Sequence, residues 1–296
     1  MTTLEKGSDF EFVDAHVHFY DMGHPTLYYG HWQPDADHPV LGSQTRKLGQ
    51  RNYLAKDFLK EAIPHGLTKA VHVQAAIGSL DPVDETAWLQ AASDSSNCPD
   101  AIVGYVDLRG PDAQKQIERH MRFDNFRGIR DFSYGNYLEN SDFHNGFSLL
   151  AQYELVFCLA AQWLDMPKAA SLAKDNPYTT IVLDHAGLPQ ERSNDYFINW
   201  KSGMSIAAKT ENITCKISGL GMADNSWTVD SIRPYVETCI ELFGYERCLF
   251  ASNWPIDSLW SSYGDLVKAY REITDLYSES EVIHMFSSNS QTLYQI

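Results

Sequence analysis

No stretch of the chain approaches the roughly 20 apolar residues that a membrane-spanning helix needs, so a bilayer is not an expected partner. Met1–Phe10 holds no apolar run, which argues against a secretory leader. Positive charge is scarce: 23 Lys and Arg face 39 Asp and Glu, for a formal net charge of −16. A surface of that sign repels phosphate backbones and anionic lipid, which excludes nucleic acid as an expected partner. It also means that capture of an anionic substrate needs local positive charge in the site. Cysteine is sparse, scattered and odd in number (Cys98, Cys158, Cys215, Cys239 and Cys248), with no CxxC pair. That is the pattern of reduced thiols in a cytoplasmic protein. No Gly/Ser/Pro-rich linker, charge block or repeat divides the 296 residues, so one domain spanning 1–296 is expected, and 44% hydrophobic residues suffice for one large core. The composition leaves the oligomeric state open.

What is present is an alternation. Short β-branched runs at Phe12–His18, Ala70–Ala75, Ile102–Leu108, Phe126–Arg130, Leu155–Gln162, Thr180–His185, Ile213–Ser218 and Leu249–Asn253 are separated by helix-like stretches. Among the latter are Ala55–His65, Glu85–Ser93, Asp112–Phe123, Pro167–Asp175, Val229–Phe243 and Gly264–Tyr277. Eight strands with helical crossovers in this length predict an α/β fold, a closed (β/α)8 barrel. No GxGxxG follows any strand, against the open doubly wound alternative. The connection after the first strand is unusually long, about 35 residues, and rich in aromatics such as Tyr28, Tyr29 and Trp32. It is too apolar for disorder and is expected to form a lid over the barrel mouth.

Alternation along each strand sorts side chains by face. In the first strand Val13, Ala15 and Val17 share one face, expected to meet the outer helices, which leaves Phe12, Asp14, His16 and His18 inward. The same test puts His72 and Gln74 inward on the second strand and Lys216 and Ser218 inward on the seventh. Other strands end in Arg130, Gln162, His185 and Asn253. A single buried polar group can be a satisfied core residue. Seven strands ending in inward polar groups point to a site at the mouth, where barrels of this kind place their chemistry. His16 and His18, two apart on one strand, are suited to one zinc-like divalent ion, and His185 offers a third imidazole.

The segments Val13-Asp14-Ala15-His16-Val17-His18, Phe126-Arg127-Gly128-Ile129-Arg130, Leu183-Asp184-His185-Ala186-Gly187-Leu188-Pro189, Lys216-Ile217-Ser218-Gly219-Leu220 and Phe250-Ala251-Ser252-Asn253-Trp254-Pro255 occur in the order seen in the amidohydrolase-2 family. The chain resembles its lactonase-like branch, which includes sugar-lactone and 2-pyrone-4,6-dicarboxylate lactonases. The resemblance runs from about residue 11 to the C-terminus. It implies that His16, His18 and His185 bind a metal or the substrate carbonyl and that Arg130 holds a substrate carboxylate. One departure stands out: the family's strand-eight aspartate is replaced by Asn253, which cannot accept a proton.

Asp257 is the nearest substitute carboxylate, either a general base or an ordinary loop residue. The catalytic set expected is therefore His16, His18, His185, Asn253 and Asp257, with His72, Gln74, Arg130, Gln162 and Lys216 against the substrate. One divalent metal, zinc by preference, is implied on His16, His18 and His185, with metal-free operation as the alternative because of Asn253. The implied reaction is hydrolysis of a small-molecule lactone. The alternatives are decarboxylation of an aromatic or unsaturated acid and a non-catalytic binding barrel.

Overall fold

A computed structural model describes residues 11–38, 40–131 and 136–296. Met1–Phe10, read above as lacking a leader, lies outside them. Eight parallel strands follow one another in one sheet: β1 (Phe12–Val17), β2 (Leu67–Val73), β3 (Ala101–Gly104), β4 (Phe126–Arg130), β5 (Val156–Leu159), β6 (Ile181–Leu183), β7 (Ile213–Ile217) and β8 (Cys248–Phe250). The ring closes just past β8, where Asn253 N donates to His16 O at 2.9 Å and His18 N to Trp254 O at 2.7 Å. This is the expected (β/α)8 barrel. Several strands are shorter than expected: β3 ends at Gly104 and β5 at Leu159, because beyond those points the chain leaves the ladder for the mouth.

The helices are α1 (Ala55–Ala62), α2 (Val83–Ser96), α3 (Ala113–His120), α4 (Ser141–Phe147), α5 (Met166–Asp175), α6 (Asn194–Ala208), α7 (Val229–Phe243), α8 (Tyr263–Ile273), α9 (Glu279–Ile283) and α10 (Asn289–Tyr294). α7 shows how the local sequence sets its bounds. Thr228 accepts the Ser231 N–H and Ser231 accepts the Thr228 N–H, a reciprocal cap. Ile232, Val236, Cys239, Ile240 and Phe243 then recur at helical spacing and are buried, and Gly244 (φ 76°) ends the helix. α6 was not expected, for two reasons. Ile198 and Ile206 on its outer side are exposed and blur the apolar stripe. Its Gly203 looks like a helix breaker but lets the helix sit against the Trp163 carbonyl, where a Cβ would come within 2.4 Å.

The inner face of the barrel is identified by a contact that skips a strand: Lys216 Nζ of β7 lies 3.6 Å from Cys158 Sγ of β5. With Cys158 pack Val71, Val73, Val103, Val156, Val182 and Leu249, joined by Tyr294 of α10, whose hydroxyl is 3.8 Å from Cys158 Sγ. Two of the expected strand faces are thereby corrected. On β2, Val71 and Val73 point inward, so His72 points outward and packs on Phe19 with ring centroids 5.4 Å apart. On β1, Phe12 and Asp14 point outward, toward Tyr263 of α8. An irregularity in the β1–β2 pairing, Asp14 opposite Ala70 but Val17 opposite His72, inserts one residue. That bulge resets the phase, and His16 and His18 face the interior after all.

Glu85 in the first turn of α2 ties this helix to the end of β2: its Oε1 accepts the N–H groups of Ala75 and Ala76, both at 2.8 Å. Burial pushes its carboxyl up to about 7, against the lowering effect of those two hydrogen bonds. The folded protein therefore holds a proton on Glu85 that the unfolded chain has lost, over the range from about 4.5 to 7. Stability from this group is complete below that window and is lost as pH rises through it. Glu85→Gln, which keeps the acceptor oxygen and cannot ionise, is expected to remove that decline, worth roughly 1–3 kcal/mol at pH 8. Urea midpoints of both proteins from pH 4.5 to 8 measure it, and parallel curves would contradict it.

Candidate active site

The polar groups at the C-terminal ends of the strands gather around one buried carboxylate. Asp184 directly follows β6 and continues its inward parity from Val182. Its Oδ1 is 3.0 Å from Lys216 Nζ and 3.4 Å from His16 Nδ1, and its Oδ2 is 3.9 Å from Arg130 Nη1. Burial acts to raise this carboxyl, but the Lys216 ammonium and His16 outweigh it and hold it well below the ordinary carboxylate range. Asp184 is thus an anion at the centre of the site. It was not among the expected site residues, although an Asp closing the apolar run Ile181-Val182-Leu183 was the available signal.

His185 does not end a strand as expected. It lies in the turn beyond β6, in the left-handed region (φ 54°), as does Ala186 (φ 51°), and this turn brings His185 inward next to Asp184. The rings of His16 and His185 lie 4.5 Å apart, and the side chains of His16, Asp184 and His185 offer ligand atoms all within 4.8 Å of one another. His185 Nδ1 is 2.8 Å from Ser218 Oγ, so its other nitrogen is turned to the centre. His18 Nε2 lies 3.1 Å from His16 Nε2. Of the three expected histidines, His16 is brought next to each of the other two, and the ligand group within 4.8 Å is His16, Asp184 and His185, with Asp184 where His18 was expected. Burial, first of all causes, holds His16 and His18 well below the ordinary imidazole range and His185 at about 4, so all three are neutral near pH 7.

The tautomer of His18 follows from its outer nitrogen. His18 Nδ1 is 2.7 Å from the Val73 carbonyl, an acceptor only, so Nδ1 carries the proton and Nε2 is bare. His16 Nδ1 stands between the Asp184 carboxylate, an acceptor, at 3.4 Å and the Lys216 ammonium, a donor, at 3.5 Å. His16 Nε2 and His18 Nε2 face each other across 3.1 Å, a hydrogen bond when His16 carries its proton on Nε2 and a pair of cation ligands when it carries it on Nδ1. Nitrogens bound at 2.0–2.1 Å in a tetrahedral site stand about 3.3 Å apart.

Above this cluster lies a cavity of about 670 Å³, counting its opening to solvent. His18, Gln74, Arg130, Ala160, His185 and Asn253 line it from the barrel side. The long β1–α1 connection covers it, as expected of a lid. Its Tyr20, Tyr29 and Trp32 are buried together, Tyr29 and Trp32 stacked at 5.5 Å, and His31, Trp32, His38, Val40, Leu41 and Thr45 face the cavity. Of the residues expected against substrate, Gln74 and Arg130 do line the cavity. His72 lies on the outer face, Gln162 caps the half-buried turn Trp163–Asp165, and Lys216 is sealed beneath the cluster. Ala160 occupies the β5 position expected of Gln162, because the strand ends earlier than its apolar pattern does.

Asp257 is 1% exposed and stands behind Asn253, accepting from its Nδ2 at 2.7 Å. Burial lifts its carboxyl to about 7, partly opposed by that hydrogen bond. The value suits a general base; the position does not, since Asp257 is outside the cavity lining. It anchors the amide so that Asn253 Oδ1, buried and without a hydrogen-bond partner among the described residues, is turned away from it.

A parallel barrel with a buried histidine–aspartate cluster at the C-terminal ends of its strands, a group that could hold a metal ion, is the arrangement of amidohydrolase-type barrels. The chain belongs to the amidohydrolase family, whose model matches residues 13–296. Its relatives include the uncharacterized protein y4mH of Sinorhizobium fredii, 38% identical and covering 98% of this chain and 100% of that one. An L-fucono-1,5-lactonase of Burkholderia ambifaria is 28% identical over 86% of this chain and 83% of the relative. Among solved structures, an amidohydrolase of Burkholderia multivorans with bound zinc superposes with a TM-score of 0.83 at 23% identity, covering 97% of this chain and 100% of that one. No helix among the described residues is long and apolar enough to cross a membrane.

Proposed function

We propose that this protein hydrolyses a small, oxygen-rich lactone with the help of one divalent metal, zinc by preference, held by His16, His18 and His185. The observation that carries this reading is the cluster of ligand atoms from His16, Asp184 and His185, all within 4.8 Å of one another beside the cavity, with His18 Nε2 3.1 Å from His16 Nε2. Asp184 adds a charged oxygen, and Asn253 Oδ1 a neutral one. When bound, such an ion polarises a carbonyl and brings the pKa of water toward neutrality, the two needs of cyclic-ester hydrolysis. The chain's own groups do the rest. Val73 O keeps the proton of His18 on its outer nitrogen, and Lys216 balances the Asp184 charge. Arg130 is the one formally charged side chain among the described lining residues, and it orients an acidic or oxygen-rich end of the substrate. Gln74 Oε1, a buried acceptor without a partner among the described residues, favours a substrate that brings hydroxyl donors. The lactonase relatives support the same chemistry. Five buried, unpaired thiols suit a cytoplasmic protein.

Metal analysis of the purified protein, paired with a lactone panel read by pH indicator, tests the proposal. Ring opening releases a proton, decarboxylation releases carbon dioxide, and a binding protein does neither. About one metal per chain with proton release from a lactone is expected. Carbon dioxide release, or no turnover of any lactone, would overturn it.

Arg130 gives a second expectation. Its guanidinium donates to the Gln74 carbonyl and faces the cavity. Arg130→Met should raise KM for a carboxylated lactone by more than about tenfold, since a hydrogen bond to a charged group is worth about 1.5–3 kcal/mol. A neutral lactone should change by less than about threefold. Equal losses for both would remove the carboxylate role.

A further inference from the structure

The β1–α1 connection brings two histidines to the cavity, His31 and His38, with ring centroids 4.6 Å apart. His38 is held in a specific way. Its backbone pairs with Gly42 in both directions, His38 N to Gly42 O at 3.2 Å and Gly42 N to His38 O at 2.8 Å, around a turn that Gly42 permits with φ 56°. Inside that turn His38 Nδ1 accepts the N–H of Val40 at 3.1 Å and of Leu41 at 3.3 Å. A nitrogen that accepts from two backbone amides keeps its lone pair, so the neutral ring carries its proton on Nε2. The edge bearing Nε2 is turned away from the turn, and among the described residues no acceptor is hydrogen-bonded to it. The ring lines the cavity together with Arg130 and His185.

We propose that His38 is a specificity-determining residue: a neutral N–H donor, preset by its own turn, that grips an oxygen acceptor of the lactone on the side away from the His16–His18 floor. This rests on the lactonase reading above. It adds that the covering connection selects for a ring substituent by donor polarity, and that this selection needs neither charge nor metal. Discrimination built on a hydrogen bond is strong because the analogue lacking the oxygen leaves the donor unpaired.

The test separates the two nitrogens of the ring. Asparagine places its Oδ1 where Nδ1 stands, keeping the acceptor of the turn, and has nothing at the Nε2 position. Glutamine places an N–H near Nε2 and gives up the turn acceptor. A lactone that the protein turns over is compared with its analogues, each lacking one ring hydroxyl, in wild type, His38→Asn and His38→Gln, with melting temperatures and metal content recorded. For wild type, kcat/KM should fall by about tenfold for the analogue lacking the gripped oxygen. His38→Asn should lose about the same factor on the full substrate and no longer distinguish that analogue, with metal content unchanged. His38→Gln should recover part of the discrimination. If His38→Asn lowers kcat/KM equally for every analogue, or leaves the discrimination intact, the proposal is overturned while lactonase activity stands. If wild type opens no lactone at all, the underlying reading has failed; binding of the same compounds by calorimetry then tests His38 directly, with equal affinity for the full and deoxy compounds overturning its role.

Discussion

His18→Ala is expected to lower kcat/KM for lactone opening by at least about 1000-fold. The effect is large because one substitution removes two things. It deletes a nitrogen that faces His16 Nε2 at 3.1 Å, and it releases the Val73 carbonyl from the bond that fixed the ring. Loss of carbonyl polarisation worth several kcal/mol corresponds to three or more powers of ten in rate. Bound metal should fall in parallel, since two imidazoles and a carboxylate remain where three imidazoles and a carboxylate stood. His18 packs against Trp32 of the covering connection with rings 6.4 Å apart, so a melting curve is needed beside the rate. Wild-type activity with full metal in a folded His18→Ala protein would show that the site is built on other residues.

Lys216→Met should cost about 3–5 kcal/mol of folding stability, the range for removing one partner of a buried ion pair. Lys216 and Asp184 are both wholly buried and 3.0 Å apart. Methionine fills the stem's volume but leaves the Asp184 carboxylate facing His16 and, at 3.9 Å, Arg130 as its remaining partners. Much of the loss should return in the double variant Lys216→Met/Asp184→Asn, because the cost lies in the unpaired charge rather than in missing packing. Urea denaturation of the wild type and the two variants decides it. A loss below about 1 kcal/mol for Lys216→Met would mean that Asp184 is satisfied without the lysine.

These two residues also show how far the sequence could be read. His18 was found from its spacing to His16, yet the face assignment behind it was wrong at Phe12 and Asp14. The bulge after Asp14 restored the phase, and nothing in the alternation of apolar and polar residues announces an inserted residue. His72 fell to the same rule without a bulge to rescue it. Both faces of a barrel strand are buried, so Val71 and Val73 fit inside as well as outside and periodicity loses its vote. Asp257 is the carboxylate nearest in sequence to Asn253. The fold did bring the two side chains together, but with the carboxylate behind the amide and away from the cavity.

The sequence alone determined the (β/α)8 architecture, the strand ends at which polar groups collect, the covering role of the long aromatic connection and the family of the chain. These depend on local pattern and on motif order, which survive in one dimension. Only the tertiary structure decided that Asp184 rather than a strand-eight carboxylate sits among His16, Lys216 and Arg130. It alone turned His185 inward through a left-handed turn and aimed His38 from its own hairpin into the cavity. Each of these depends on atoms brought from distant strands to within about 4 Å, where charge and hydrogen bonding act, and no spacing along the chain encodes that distance.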